Sequence, residues 1–344
     1  MSEQNVQAIP ASEHDPHERR RSVVSRILGG SVGRNLGLVI ALGALYAVGA
    51  ITAGDRFTNF DNVLTIIRFA SIIGVLSIGV TFVIIAGGID LSVGSVLGLG
   101  TVAATLPAVQ LFAQQTNWLV IVLIALLTGV AAGVANGVVI AYGNVVAFMA
   151  TLAMLVAARG LAEILSNRTT QLVRVQGFLD FFRADFLGVP VLIWMFLLVA
   201  IVAWVLLNRT TFGRRTVAIG GNPEAARLAG LNVKRHTVYL YALAGLASGI
   251  AAIMMLGRTT AGTSTHGTLY ELDAIAAVVV GGTLLIGGRG TITGTVFGVL
   301  IFATLTNIFT QNNLSTSVQA VTKGVIIVVA VLLQQRFAAR GRTH

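Results

Sequence analysis

Few side chains in this sequence are equipped for chemistry, and those that are interrupt or border apolar runs. Asp90 breaks one of them in the stretch IAGGIDLSVGS, residues 85–95, two positions after Gly87 and Gly88. Arg159 and Glu163 stand four apart in a second, Glu271 and Asp273 open a third, and Lys323 lies near the start of a fourth. An ionised carboxylate at a lipid-facing helix centre costs roughly 3 kcal/mol or more, so Asp90 belongs in protein, in an aqueous cavity or near the interface. Two readings fit. Gly87 and Gly88 can end one helix while Asp90 or Ser92 accepts the orphan backbone N–H groups that open the next. Alternatively, Asp90 is a proton or ion site in a broken helix. Arg159 and Glu163 have the spacing of a local helical ion pair, and Lys323 can snorkel outward. With no cysteine there is no disulfide, thiol nucleophile or thiolate metal site. The five histidines are scattered, with His14 and His17 in a polar N-terminal stretch. The pattern G-x-x-x-x-G-K-[ST] does not occur, so a phosphate-cradling ATPase site would belong to another subunit.

The elements that carry these residues are membrane helices. Of the 344 residues 55% are hydrophobic and 10% charged, and the mean hydropathy is +0.86. That balance is far from a soluble domain's and predicts an all-α integral membrane protein. Apolar windows long enough for about 30 Å of hydrocarbon predict ten helices, near 36–53, 63–86, 93–112, 118–141, 145–165, 188–207, 237–256, 272–287, 291–310 and 317–334. Residues 1–35 form a basic tail without an A-x-A cleavage pattern, expected to be retained; 36–335 form the transmembrane domain, and 336–344 a second tail. Ten crossings return both termini to one side. The two tails, the segment 208–236 and the turn at Arg289 hold fifteen Arg and Lys residues, whereas the opposite loops hold Arg56, Arg168, Arg174, Arg183 and Arg258. Positive residues gather on the cytoplasmic side, so both termini are expected there. The net charge of +10 has this origin and does not point to nucleic acid, because the basic residues lie between spans and are not interleaved with aromatics.

Two spans carry doubled GxxxG patterns: Gly129, Gly133 and Gly137 in the fourth, and Gly290, Gly294 and Gly298 at the start of the ninth. Glycines four apart share a face and let a neighbouring helix come close. The two spans are an odd number of crossings apart, which suggests an inverted repeat of spans two to five against seven to ten. The longest polar interruption, NRTTFGRRTVAIGGNPEAARLAGLNVKRH at 208–236, has local structure of its own. Gly220, Gly221 and Asn222 read as a turn, Asn222 caps a helix whose first position is Pro223, and Gly230 ends it. A short ordered helix in a basic connector suits docking of a cytoplasmic partner, and the bland alternative is a solvated linker.

Four separated stretches resemble the membrane permeases of bacterial ABC importers of the ribose, xylose and galactose type. They are GGIDLSVGS at 87–95, GGNPEAARLAGLNV at 220–233, YELDAIAAVVVGGT at 270–283 and GGRGTITGT at 287–295, in the family's order and within a similarity spanning about residues 60–335. Leu284 departs from it, since a serine or another small residue is expected after Gly281, Gly282 and Thr283. The resemblance implies a permease of the bacterial inner membrane that pairs with a second copy or a paralogue and does no covalent chemistry. It would receive its sugar from an extracytoplasmic binding protein and couple to cytoplasmic ATPase subunits, which would hold ATP and Mg; this chain would need no cofactor. It assigns the coupling to Gly221, Asn222, Pro223, Glu224, Arg227, Leu228 and Gly230. It makes Gly87, Gly88, Asp90 and Ser92 a structured helix break near the pathway rather than a proton carrier, and marks Glu271, Asp273, Gly281, Gly282, Thr283, Gly287 and Gly288 as a second motif region. An ABC permease for another solute, such as a branched-chain amino acid or a signalling furanose, and an ion-coupled secondary transporter are the rival readings.

Overall fold

The computed structural model describes residues 31–340; most of the N-terminal tail and the last four residues lie outside the described residues. Fifteen helices follow in order: α1 (Ser31–Ala53), α2 (Asp55–Thr58), α3 (Phe60–Ile85), α4 (Val93–Thr105), α5 (Pro107–Gln115), α6 (Leu119–Ala141), α7 (Ala147–Ser166), α8 (Gln176–Arg183), α9 (Val191–Arg209), α10 (Thr211–Gly221), α11 (Pro223–Leu228), α12 (Val233–Thr259), α13 (Tyr270–Val280), α14 (Ile292–Gln311) and α15 (Thr316–Arg340). Two short antiparallel pairings complete the described chain: β1 (Gln171–Leu172) with β4 (Ala261–Gly262), and β2 (Asp185–Phe186) with β3 (Val189–Pro190).

Among the described residues seven helices are long and apolar enough to cross a membrane: α1, α3, α6, α7, α9, α12 and α14. The count is eight if α4 and α5, bent by 56°, form one span. The bend falls where Leu106 is held extended before Pro107, the restriction that proline imposes on its predecessor. α15 occupies the place of the expected tenth span and runs into the expected C-terminal tail. The expected eighth span, a continuous helix over 272–287, is corrected. α13 has eleven residues, about 16 Å of helix, too short to cross about 30 Å of hydrocarbon. It is preceded by β4 and a run of turns over 260–269 and followed by the turn 281–291.

Burial sorts the helices into an inner and an outer set. In α3, α12 and α14, 67%, 78% and 61% of the apolar stretch is buried, against 11% in α1 and 22–28% in α6, α7 and α9. The outer helices present Leu123, Leu127, Val156, Ile164, Leu198 and Ile201 outward, as lipid contact requires. α3 and α12 run antiparallel. Gly79 lies against Ala244 and Ala247, while Ile89, beyond the end of α3, accepts a hydrogen bond from Tyr241, nearer the start of α12. Each is followed by a break, a short helix and two long helices: α4, α6 and α7 in the first half, α13, α14 and α15 in the second. This order is the one an inverted repeat would produce.

The glycines of α6 lie where α12 comes closest. A Cβ on Gly129 would overlap the Gly245 carbonyl, on Gly133 the Tyr241 carbonyl, and on Gly137 would stand 2.7 Å from Val238 Cα. The second triplet differs from expectation. α14 begins at Ile292, so Gly290 precedes the helix and faces Ile85 and Thr283, while Gly294 and Gly298 press on the Gly281 and Ala277 carbonyls at the end of α13. Small residues thus bring α14 onto the half-helix.

Candidate functional site

α11 stands at one end of the bundle. The Asn222 side chain accepts from the Ala225 amide at 3.0 Å, Pro223 occupies the first turn, and Gly230, at φ 83°, ends the helix in the left-handed region that favours glycine. Glu224 and Arg227 form an exposed ion pair at 2.9 Å. Leu228 is 83% exposed, an apolar side chain that no other part of the described chain covers. The segment 208–236 holds more structure than expected: Gly220 and Gly221 do not form a turn but close α10, a helix that Thr210 caps through the Gly213 amide.

α10 ties α11 to both halves of the bundle. A Cβ on Gly220 would overlap the Ile85 carbonyl at the end of α3 and come within 2.7 Å of the Gly288 amide. Gly288 N donates to Ile85 O at 2.8 Å, and a Cβ on Gly287 would lie 2.9 Å from Gly220 O and 3.0 Å from Gly87 N. Gly87, Gly282, Gly287 and Gly288 all have φ between 76° and 89°, so the turns that meet here need glycine. Leu284 joins the second turn through its backbone, donating to Arg289 O at 3.0 Å, a bond that asks nothing of its side chain.

The first helix break, between α3 and α4, is organised by Asp90. Its Oδ1 accepts from the Ser92 amide at 2.8 Å and from Ser92 Oγ at 2.7 Å, and Asn136 Nδ2 on α6 donates to Ser92 Oγ at 2.9 Å. Tyr241 Oη and Thr151 Oγ1 both donate to the Ile89 carbonyl at 3.3 Å. Asp90 and Ser92 are each 2% exposed. The carboxylate therefore organises the entry to α4, holding Ser92 rather than bonding to the first turn of the helix itself.

The second break is the stretch 260–269. Its backbone would be unsatisfied in an apolar surrounding, and Arg159 of α7 supplies donors: Nη1 bonds to the Ser264 carbonyl and, at 2.8 Å, to the His266 carbonyl. The local Arg159–Glu163 pair expected from spacing does not form; Glu163 pairs with Arg168 at 3.0 Å. Lys323 does not snorkel either. It reaches Asp273 at 3.1 Å, linking α15 to α13 with both side chains largely buried. Glu271 is buried in the first turn of α13 beside Gly94, and its Oε2 has no hydrogen-bond partner. No group of three or more His, Cys, Asp or Glu residues able to hold a metal occurs among the described residues.

Reading by spacing found Gly87, Gly88, Asp90, Ser92, Asn222, Pro223 and Glu271, because glycine pairs, caps and lone charges are local signals. It missed Asn136, Thr151, Tyr241 and the role of Arg159, which act across the fold; a polar residue inside a span was the one available hint.

The chain matches, over residues 62–331, the family described as the permease component of branched-chain amino acid transport systems. It is 39% identical over 324 residues to the ribose import permease protein of Bacillus subtilis, covering 94% of this chain and 99% of that protein. It is 39% identical over 305 residues to the ribose import permease protein of Escherichia coli strain K12, covering 87% and 92%, and 36% identical over 314 residues to the L-arabinose transport system permease protein of the same strain, covering 89% and 92%. No solved structure gives a significant match. With all four motif stretches joined in one helical bundle and similarity along nearly its whole length, the chain belongs to this family of transport-system permease components.

Proposed function

We propose that this chain is the membrane permease of an ATP-driven importer and forms the path for a pentose or a closely similar sugar. Relatives named for ribose and arabinose match it almost end to end, which supports a sugar over the branched-chain amino acid of the family description. The observation that carries the coupling is the contact of Gly220 with Ile85 and Gly288 directly before α11. A push on the exposed α11 reaches the end of α3 and the turn before α14 without an intervening flexible linker. ATP and Mg would bind in the partner ATPase, an extracytoplasmic binding protein would deliver the sugar, and a second permease would complete the path. Both termini and α11 would face the cytoplasm of a bacterial inner membrane, in line with the distribution of Arg and Lys. Rigid-body movement of each permease, transmitted through α11, would then open the path between the two copies to alternate sides.

The test is reconstitution of this chain with its ATPase and binding protein, followed by ATP hydrolysis across a panel of sugars. Stimulation by a pentose-loaded binding protein is expected. Uptake that survives ATP depletion but collapses with a protonophore would instead identify an ion-coupled carrier.

A further inference from the structure

Between α10 and the start of α12, beside the loop that follows α11, lies a cavity of about 580 Å³. Its wall has two kinds of chemistry. Arg215, Arg235 and His236 line one part, and Phe212, Ile219 and Leu231 another, with no carboxylate among the lining residues. Neither arginine has an acidic partner within 4 Å among the described residues. Arg235 Nε donates to Tyr239 Oη at 2.6 Å and its guanidinium lies 5.6 Å from that ring's centre, which fixes the fork in place. His236 Nε2 is paired with Thr216 Oγ1 at 2.9 Å, so the two arginines carry the cavity's unpaired positive charge.

The same end of the bundle carries exposed aromatic rings with cations over them. Lys234 Nζ lies 5.7 Å from the centre of the Tyr142 ring, and the Arg209 guanidinium 5.4 Å from that of Trp204. Exposed rings paired with cations at helix ends mark the level of lipid headgroups. Tyr239, on the cavity wall, is itself 46% exposed. A soluble anion would use the arginines and leave the apolar wall idle, whereas a phospholipid uses both.

We infer that this cavity binds an anionic phospholipid, its phosphate held by Arg215 and Arg235 and the start of an acyl chain laid against Phe212, Ile219 and Leu231. Gly230 and Leu231, which follow α11, belong to the same wall, so the occupant would brace α11 through them. The inference is independent of which solute the chain carries.

The intact transporter, purified in detergent and stripped of lipid, should be titrated with phosphatidylglycerol, with phosphatidylcholine and with inorganic phosphate, reading thermal stability and the lipid retained in native mass spectra. Phosphatidylglycerol should stabilise at lower concentration than phosphatidylcholine. The double change Arg215→Gln with Arg235→Gln should raise the phosphatidylglycerol requirement about tenfold or more. Arg214→Gln, which removes the same charge from an exposed neighbour outside the cavity, should not. Arg215→Lys with Arg235→Lys keeps both charges and should retain most of the binding even if the glutamine variant fails to fold. Equal responses of the wild type to the two lipids, undiminished retention by the glutamine variant, or full replacement of lipid by inorganic phosphate would each overturn the lipid site.

Discussion

The Gly288 amide donates to the Ile85 carbonyl at 2.8 Å, and this bond joins the two halves of the chain at the point where α11 is attached. Ile85 ends α3 in the first half and Gly288 lies in the turn after α13 in the second. Gly220 is wedged against both, so the bond, the two turns and the end of α10 form one rigid unit. Groups this close have no room to slide independently, and a displacement of α11 moves both halves or neither.

That geometry predicts the effect of a single methyl group. In Gly220→Ala the new Cβ would fall on the Ile85 carbonyl and within 2.7 Å of the Gly288 amide, backbone atoms on both sides. Overpacking of this kind costs about 1–3 kcal/mol. The variant should melt earlier and hydrolyse ATP without matching transport. Gly160→Ala, where nothing lies within 4 Å of the added atom, should be neutral or stabilise by up to about 1 kcal/mol. A Gly220→Ala transporter with wild-type melting and uptake would break the argument.

At the first helix break the prediction separates shape from charge. Asp90 Oδ1 accepts two hydrogen bonds from Ser92, and an amide oxygen in Asp90→Asn can accept both. That variant should fold and retain much of the uptake. Asp90→Leu leaves the Ser92 amide and hydroxyl without their acceptor in a buried place, at a cost of about 1–3 kcal/mol, and should reach the membrane in low yield. A well-folded, inactive Asn variant would show that the carboxylate's charge is needed.

How much of this was readable beforehand follows from the range of each interaction. Asn222, Pro223 and Gly230 announce α11 because a cap, a first-turn proline and a terminating glycine act within a few residues of one another. α10 was not legible, since Gly220 and Gly221 read as a turn when their reason is the close approach of Ile85 and Gly288. The half-helix α13 was hidden because the apolar content of 272–287 is that of a full span; after Val280 the chain leaves the helix for a turn whose Gly288 amide bonds to the carbonyl of Ile85, a residue far away in sequence. Lys323 likewise looked like a terminal snorkelling residue until the fold brought Asp273 to it.

The Lys323–Asp273 pair gives a test of that long-range packing. Both side chains are largely buried, so removing either partner strands a charge, while removing both strands none. Lys323→Met and Asp273→Asn should each destabilise by about 3 kcal/mol or more, and the double variant should recover part of the loss. Additive losses in melting temperature would mean the pair does not hold α15 to α13.

The proposed topology is checked more simply. Reporter fusions after residue 20 and at residue 340 should both report the cytoplasm, as the gathering of Arg and Lys on one side requires. An external signal from either would sink the ten-span topology.

The proposed coupling rests on α11. Leu228 is 83% exposed in the free chain, and docking into a groove of the partner would bury it, a gain of roughly 1.5–3 kcal/mol. Glu224 and Arg227 bond to each other at the surface, so changing them should disturb recognition more than stability. Leu228→Ser should therefore be the most harmful point change, with Glu224→Ala and Arg227→Ala milder, and a glycine inserted after Ala226 should break the helix at about 1 kcal/mol in propensity. All four variants should reach the membrane and pair with a second permease, as judged by yield and size after solubilisation. They should bind the ATPase weakly and fail to stimulate it when loaded binding protein is added. Normal sugar uptake with the helix broken would remove the ATP-driven reading.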